Sequence, residues 1–242
     1  MNGGISNMSA VCVADVAVTT TAAVAISYTE MVSEILNAAK QISVMREAGD
    51  GRIDSAKKEE PFLRELSHNL LTKHPTWDIT ISPPRSWYDI EINGLPINLK
   101  LTDCKTADNA ANKRAIFFSI TGLRTYPTAS KWNDFHDKLL EARPEIKRER
   151  DRQTEYHYLV KNKLTGDALF KPIFDIHRFV SNPSNDLQIN WRHEFEHVGH
   201  VTEPEAYAEK VRELLACLQR SAQMMIENTQ RFATADFKQV LE

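Results

Sequence analysis

Hydrophobic positions along this chain change their spacing several times, and each change marks an element. Between Tyr28 and Arg46 apolar residues recur at helical spacing until Gly49 to Gly51 end the run, and the helical region reaches back to residue 9. Ser55 to Leu71 predicts a second helix with a stripe of Phe62, Leu63, Leu66, Leu70 and Leu71. Pro61 is assigned to its first turn, where a missing N–H costs little. Trp77 to Ser82 alternates as a strand that Pro83-Pro84 ends. From Asp89 to Thr102 the alternation runs on both sides of Asn93-Gly94, which predicts a β-hairpin.

Asp103 to Arg114 is polar and reads as a loop, Ala115 to Ile120 as a strand, and Lys131 to Ala142 as a helix. The charge run from Lys147 to Arg152 reads as a solvated loop or helix end. Tyr156 to Lys161 predicts a strand with a turn at Thr165-Gly166, and Leu187 to His197 a further alternating strand. A final helix starts near Thr202, with Thr202 as its cap and Glu205 reaching back, and spans residues 203–238. Strands bracketed by helices in this order predict a mixed α/β (α+β) fold with a central sheet.

Composition bounds this picture without sharpening it. The 242 residues suit one domain, 1–242, with the helical region 1–50 as the guess for a dimer contact. A hydrophobic share of 42% and a charged share of 26% are ordinary for a globular chain. The net charge of −3 gives no global attraction to nucleic acid, so any such contact must be local. Val11 to Ile26 is apolar, but Asp15 interrupts it, Thr19 to Thr21 dilute it, and no Lys or Arg precedes it; no membrane span is expected. Three scattered cysteines form neither a disulfide framework nor a CxxC site, which makes the cytoplasm the expected location.

Candidate chemistry gathers on the hairpin. Residues two apart on a strand share a face, so Asn98 and Lys100 point one way while Ile97, Leu99 and Leu101 point the other. The turn folds Asp89 back towards Asn98 and Lys100. A carboxylate, an amide oxygen and an ammonium together suit a hard metal ion and a water beside a phosphate. On spacing alone, three polar residues are also common on an ordinary exposed hairpin.

Asp89 followed by Asn98-Leu99-Lys100 resembles the core of the PD-(D/E)xK nucleases. Further segments resemble the EcoRV/HincII-like type II restriction endonucleases: Glu60-Pro61-Phe62 with its helix, Thr106 to Lys113 running into Ala115 to Gly122, and Leu187 to Trp191 followed by Glu203 to Phe232. The likeness runs in consistent order over roughly residues 55 to 235. It implies a restriction-endonuclease-like core and Mg²⁺-dependent hydrolysis of double-stranded DNA at a short palindromic site, leaving 5′-phosphates. A homodimer and a cognate DNA methyltransferase as genetic partner are implied with it. Asp89, Asn98 and Glu60 would then hold the metal, Lys100 would orient the attacking water, and Thr106, Asn109, Asn112, Lys113 and Arg114 would contact DNA.

The pattern departs from the family at Asn98, which stands where a second carboxylate is expected. Asp103-Cys104-Lys105 also reads as D-x-K, although the alternation from Ile97 would bury Asp103 unless a bulge intervened. A rival motif, His193-Glu194-Phe195-Glu196-His197, matches the H-E-x-x-H of zinc metallopeptidases. That chemistry needs a helix, whereas the alternation and the lack of a cap before His193 predict a strand. A third possibility, raised by Asn98, is a non-catalytic DNA-binding protein with a decayed nuclease core.

Overall fold

The computed structural model describes residues 26–44, 51–110, 112–125, 131–197 and 199–234. Two helices, α1 (Tyr28–Gln41) and α2 (Gly51–Lys73), precede the strands β1 (Ile79–Ile81), β2 (Ile90–Ile92), β3 (Leu95–Thr102) and β4 (Asp108–Asn109). Helices α3 (Lys113–Thr121) and α4 (Trp132–Glu141) lead to β5 (His157–Asn162), β6 (Ala168–Pro172), β7 (Phe179–Asn182) and β8 (Asp186–Ile189). A short α5 (Trp191–Glu196) and a long α6 (Pro204–Ala233) complete the order.

The fold is mixed α/β. Its central sheet has the strand order β1-β2-β3-β5-β6, with β3 and β5 parallel and the other pairs antiparallel. The Asn93-Gly94 turn carries φ values of 47° and 83°, the left-handed pair that a two-residue hairpin needs. Ile90 pairs with Ile97 across it, which puts Ile90, Ile97, Leu99 and Leu101 on one face, against α1 and α2. The opposite face supports a second core of Trp87, Tyr156, Tyr158 and α3, which continues to α6 and the small sheet β4-β8-β7.

Several sequence expectations are corrected here. Ala115 to Ile120 is helix, not strand: all of α3 except Arg114 is buried, so no polar face reveals its period. Its ends were legible nonetheless, because Asn112 accepts from the Ala115 N–H and Gly122 closes the helix at φ 77°. Leu187 to His197 splits into β8 and α5, and the Asn190 side chain supplies the cap expected to be missing. Pro61 lies well inside α2, which begins at Gly51. The N-cap of α6 is Glu203 without a side-chain bond, so the Thr202 cap does not form.

Lys147 to Arg152 is solvated only in part: Arg148, Glu149 and Asp151 are exposed, but the Arg150 side chain is not. Arg150 is buried, forks onto Glu155 at 2.7 and 2.9 Å, and reaches Asp175 at 2.5 Å. In the N-terminal region, Met31, Ile35, Ala38 and Ala39 spend the apolar face of α1 on the chain's own core rather than on a partner. The rest of that expected dimer contact, through residue 25 and from residue 45, lies outside the described residues. Among the described residues, no helix is long and apolar enough to cross a membrane.

Candidate active site at the hairpin end

β2 diverges from β3 just beyond Ile90, and Asp89 occupies the position opposite Asn98. Its carboxylate takes over where the ladder stops. Asp89 Oδ2 accepts from the Leu99 backbone N–H at 2.7 Å and from Asn98 Nδ2 at 2.8 Å. Burial pushes the Asp89 carboxyl above its ordinary range, while the Leu99 N–H and the Lys100 charge pull the other way. Asp89, Asn98 and Lys100 are thus brought together.

The helix supplies a different acid from the one expected. Glu60 is exposed, and its Oε1 accepts from both Nε and Nη2 of Arg64, one turn further along α2. Glu59 is half-buried, and its carboxyl is pushed up first by burial and then by the Asp89 charge, with Lys100 opposing. The reason is helical phase. The buried stripe Phe62, Leu63, Leu66, Leu70 continues backwards by three and four residues to 59, and residue 60 falls about 100° away. That phase is legible in the sequence.

Asp103 lies past the end of β3 and comes within 3.7 Å of Lys163. At roughly 3.3 Å per residue it is about 16 Å along the strand from Asn98, so it joins no group with Asp89. Glu91 shares the face of Asp89 but is engaged by Arg124.

A cleft of about 300 Å³ opens beside the group, lined among others by Trp87, Asn98, Lys100, Asn109, Asn112, Tyr156 and Asp186. The loop after β3 reaches it because β4 pairs with β8, setting Asp108 against Ile189 and Asn109 against Gln188. Of the residues expected at DNA, Thr106 is exposed and Asn109 lines the cleft. Asn112 lines it too, with its carbonyl committed to the cap of α3. Lys113 is not available: it is buried, bound to Asp186 at 2.7 Å, and lies 3.8 Å from the Trp132 ring centre. Arg114 is half-buried, donating to the Arg124 carbonyl with its guanidinium over Trp87. Each basic residue is held by a residue of the cleft wall, Lys113 by Asp186 and Arg114 by Trp87.

One buried atom bears on the metal question. Asn98 Oδ1 has no hydrogen-bond partner, because the amide is turned by its donation to Asp89. A buried acceptor left open costs on the order of 1–3 kcal/mol unless something fills it. Asp89 lies beside it, and Glu59 on α2 is near enough for the Asp89 charge to act on it, so the acids at hand offer oxygen donors, which suit a small hard cation such as Mg²⁺. No protein-family model matches the chain, and no curated protein sequence matches it.

Proposed function

We propose that this protein is a Mg²⁺-dependent endodeoxyribonuclease of the type II restriction class, related to the EcoRV/HincII-like enzymes, acting in the cytoplasm as a homodimer on a short palindromic DNA site. The single observation that carries the reading is the convergence of Asp89, Asn98 and Lys100, the last two lining a polar cleft. Asp89, the Asn98 carbonyl and Glu59 would hold the ion, replacing Glu60 in that role. Bound there, Mg²⁺ would supply charge neutralisation at the scissile phosphate.

The remaining work belongs to the chain. Lys100 orients a water for in-line attack on phosphorus and offsets the developing negative charge. The water oxygen bonds to phosphorus, the P–O3′ bond breaks, and a proton passes to the departing 3′ oxygen, leaving a 5′-phosphate. Asn109 lines the cleft and Thr106 is exposed on the same loop, and their amide and hydroxyl groups would read base edges. Two-fold symmetric DNA calls for a two-fold symmetric reader, and a DNA methyltransferase encoded nearby is the expected genetic partner.

Incubating the purified chain with unmethylated phage DNA and Mg²⁺, then sequencing the fragment ends, tests activity, site and stagger together. Discrete fragments with common end sequences support the reading. Asn98 favours one alternative, a DNA-binding protein with a decayed core. That alternative prevails if site-specific binding persists while cleavage fails with both Mg²⁺ and Mn²⁺.

A further inference from the structure

A second group of ligand atoms lies at the open end of the β7–β8 hairpin. His177, His193 and His197 each offer a ring nitrogen within 4.8 Å of the others. His193 and His197 are one helical turn apart, at the end of α5, and His177 stands on the loop that enters β7. His193 Nε2 and His177 Nδ1 are 2.8 Å apart, and the His193 and His197 rings, tilted by 37°, have centres 3.9 Å apart.

The surroundings orient these rings as ligands. His197 Nδ1 lies 2.8 Å from the His193 carbonyl, which can only accept, so that nitrogen carries the proton and Nε2 keeps its lone pair. A backbone carbonyl that fixes the tautomer of an imidazole is the usual outer support of a metal-binding histidine. Glu194 anchors the rest. It is fully buried, bonded to Lys171 at 2.5 Å, and accepts the backbone N–H groups of His177 and Arg178 at 2.9 and 3.2 Å. Lys171 also donates to the His197 carbonyl at 2.7 Å. One buried ion pair thereby holds both segments that carry the histidines.

We infer that His177, His193 and His197 form a binding site for a divalent transition metal ion, Zn²⁺ in particular, which ties the start of β7 to α5. Imidazole suits Zn²⁺, and three nitrogens at about 2.0–2.1 Å from the ion stand roughly 3.3 Å from one another, a small rearrangement from the present spacing. His177 is exposed and the other two are half-buried, so an ion can reach the site from solvent.

The H-E-x-x-H helix therefore exists, but not as a peptidase centre. The Glu194 carboxylate that would activate water is committed to Lys171 and two backbone N–H groups. The ion instead closes the open end of the β7–β8 hairpin, where Phe179 pairs with Ile189. The other end of that hairpin, Ser184 to Asp186, lines the cleft beside Asn98. The inference does not rest on the nuclease reading.

The test uses the untagged full chain stripped with EDTA and titrated with ZnCl₂ against a chromophoric chelator. One Zn²⁺ per chain is expected, with a Kd on the order of 1 µM or tighter. His177→Gln, a change on an exposed loop, should weaken binding by about 100-fold or more, and His193→Gln should do the same. Asp89→Asn should leave it unchanged. Substituted Co²⁺ should give the visible bands of a four-coordinate ion in the parent and not in His177→Gln. Stoichiometry well below one, binding indifferent to both histidine changes, or binding lost in Asp89→Asn instead overturns the site. Zinc-dependent peptide hydrolysis abolished by Glu194→Gln overturns its structural role.

Discussion

Asn98→Asp restores the acid that the nuclease pattern leads one to expect, and Mg²⁺ should recover part of the stability that the change costs. Without a cation, the Asn98 amide donates to Asp89 at 2.8 Å, a bond to a charged group worth about 1.5–3 kcal/mol. The substitution replaces that donor with a second carboxylate. Two charges about 3.5 Å apart repel by roughly 4–5 kcal/mol at an effective dielectric near 20. The pair escapes the full cost by retaining one proton, which at pH 7 limits the penalty to about 4 kcal/mol. A net loss of ~2–4 kcal/mol is expected in EDTA, or roughly 5–15 °C in Tm for a chain of this size. The folded pair holds its proton to higher pH than the unfolded carboxyls do, so the deficit grows as pH rises from 4 to 7 and shrinks at pH 5. With Mg²⁺ present the added charge should tighten binding by about tenfold, near 1.4 kcal/mol. Melting curves in EDTA at pH 5 and 7, with a Mg²⁺ titration of Tm at pH 7, measure all three. A variant as stable as the parent in EDTA at pH 7, with the same Mg²⁺ response, would refute the Asp89–Asn98 juxtaposition.

Four further tests address separate parts of the molecule. Lys100→Ala or Asp89→Ala should abolish DNA cleavage while leaving site-specific binding largely intact in a gel-shift assay; full cutting by either at saturating Mg²⁺ sinks the catalytic assignment. Glu59→Gln should raise the Mg²⁺ concentration needed for half-maximal cleavage by about tenfold, near 1.4 kcal/mol, whereas Glu60→Gln should leave it nearly unchanged. The opposite ranking would return the role to Glu60. Arg150→Met strands the buried carboxylates of Glu155 and Asp175 and should cost about 3–5 kcal/mol in urea unfolding, while a loss under ~1 kcal/mol would mean the network is not formed. His157 is fully buried beside the Tyr28 hydroxyl, and burial pushes its imidazole down to about 3. An unfolded imidazole titrates near 6.5, so the stability it contributes is complete above that pH and drains as pH falls towards 3. His157→Phe should flatten the stability profile between pH 6.5 and 4, and an unchanged slope would contradict the buried neutral imidazole.

The sequence by itself determined the hairpin and the face its polar residues share. Asn-Gly has one favoured hairpin geometry, and a period of two leaves no choice of side once Ile97, Leu99 and Leu101 are buried. The same logic, applied backwards along the α2 stripe, would have selected Glu59 over Glu60. Where burial is complete on all sides, periodicity carries no information, and α3 was misread for that reason, although Asn112 and Gly122 marked its ends. Only the tertiary structure decided the rest. It turned Lys113 inward onto Asp186 and Arg150 onto two acids, since a charge is buried only when a distant partner meets it, and no local pattern reports that partner. It brought the β4 loop to the cleft through pairing with β8, some eighty residues later in the chain. It likewise joined His177 to His193 and His197, because a site assembled across a sheet depends on the sheet's register, which single segments do not encode.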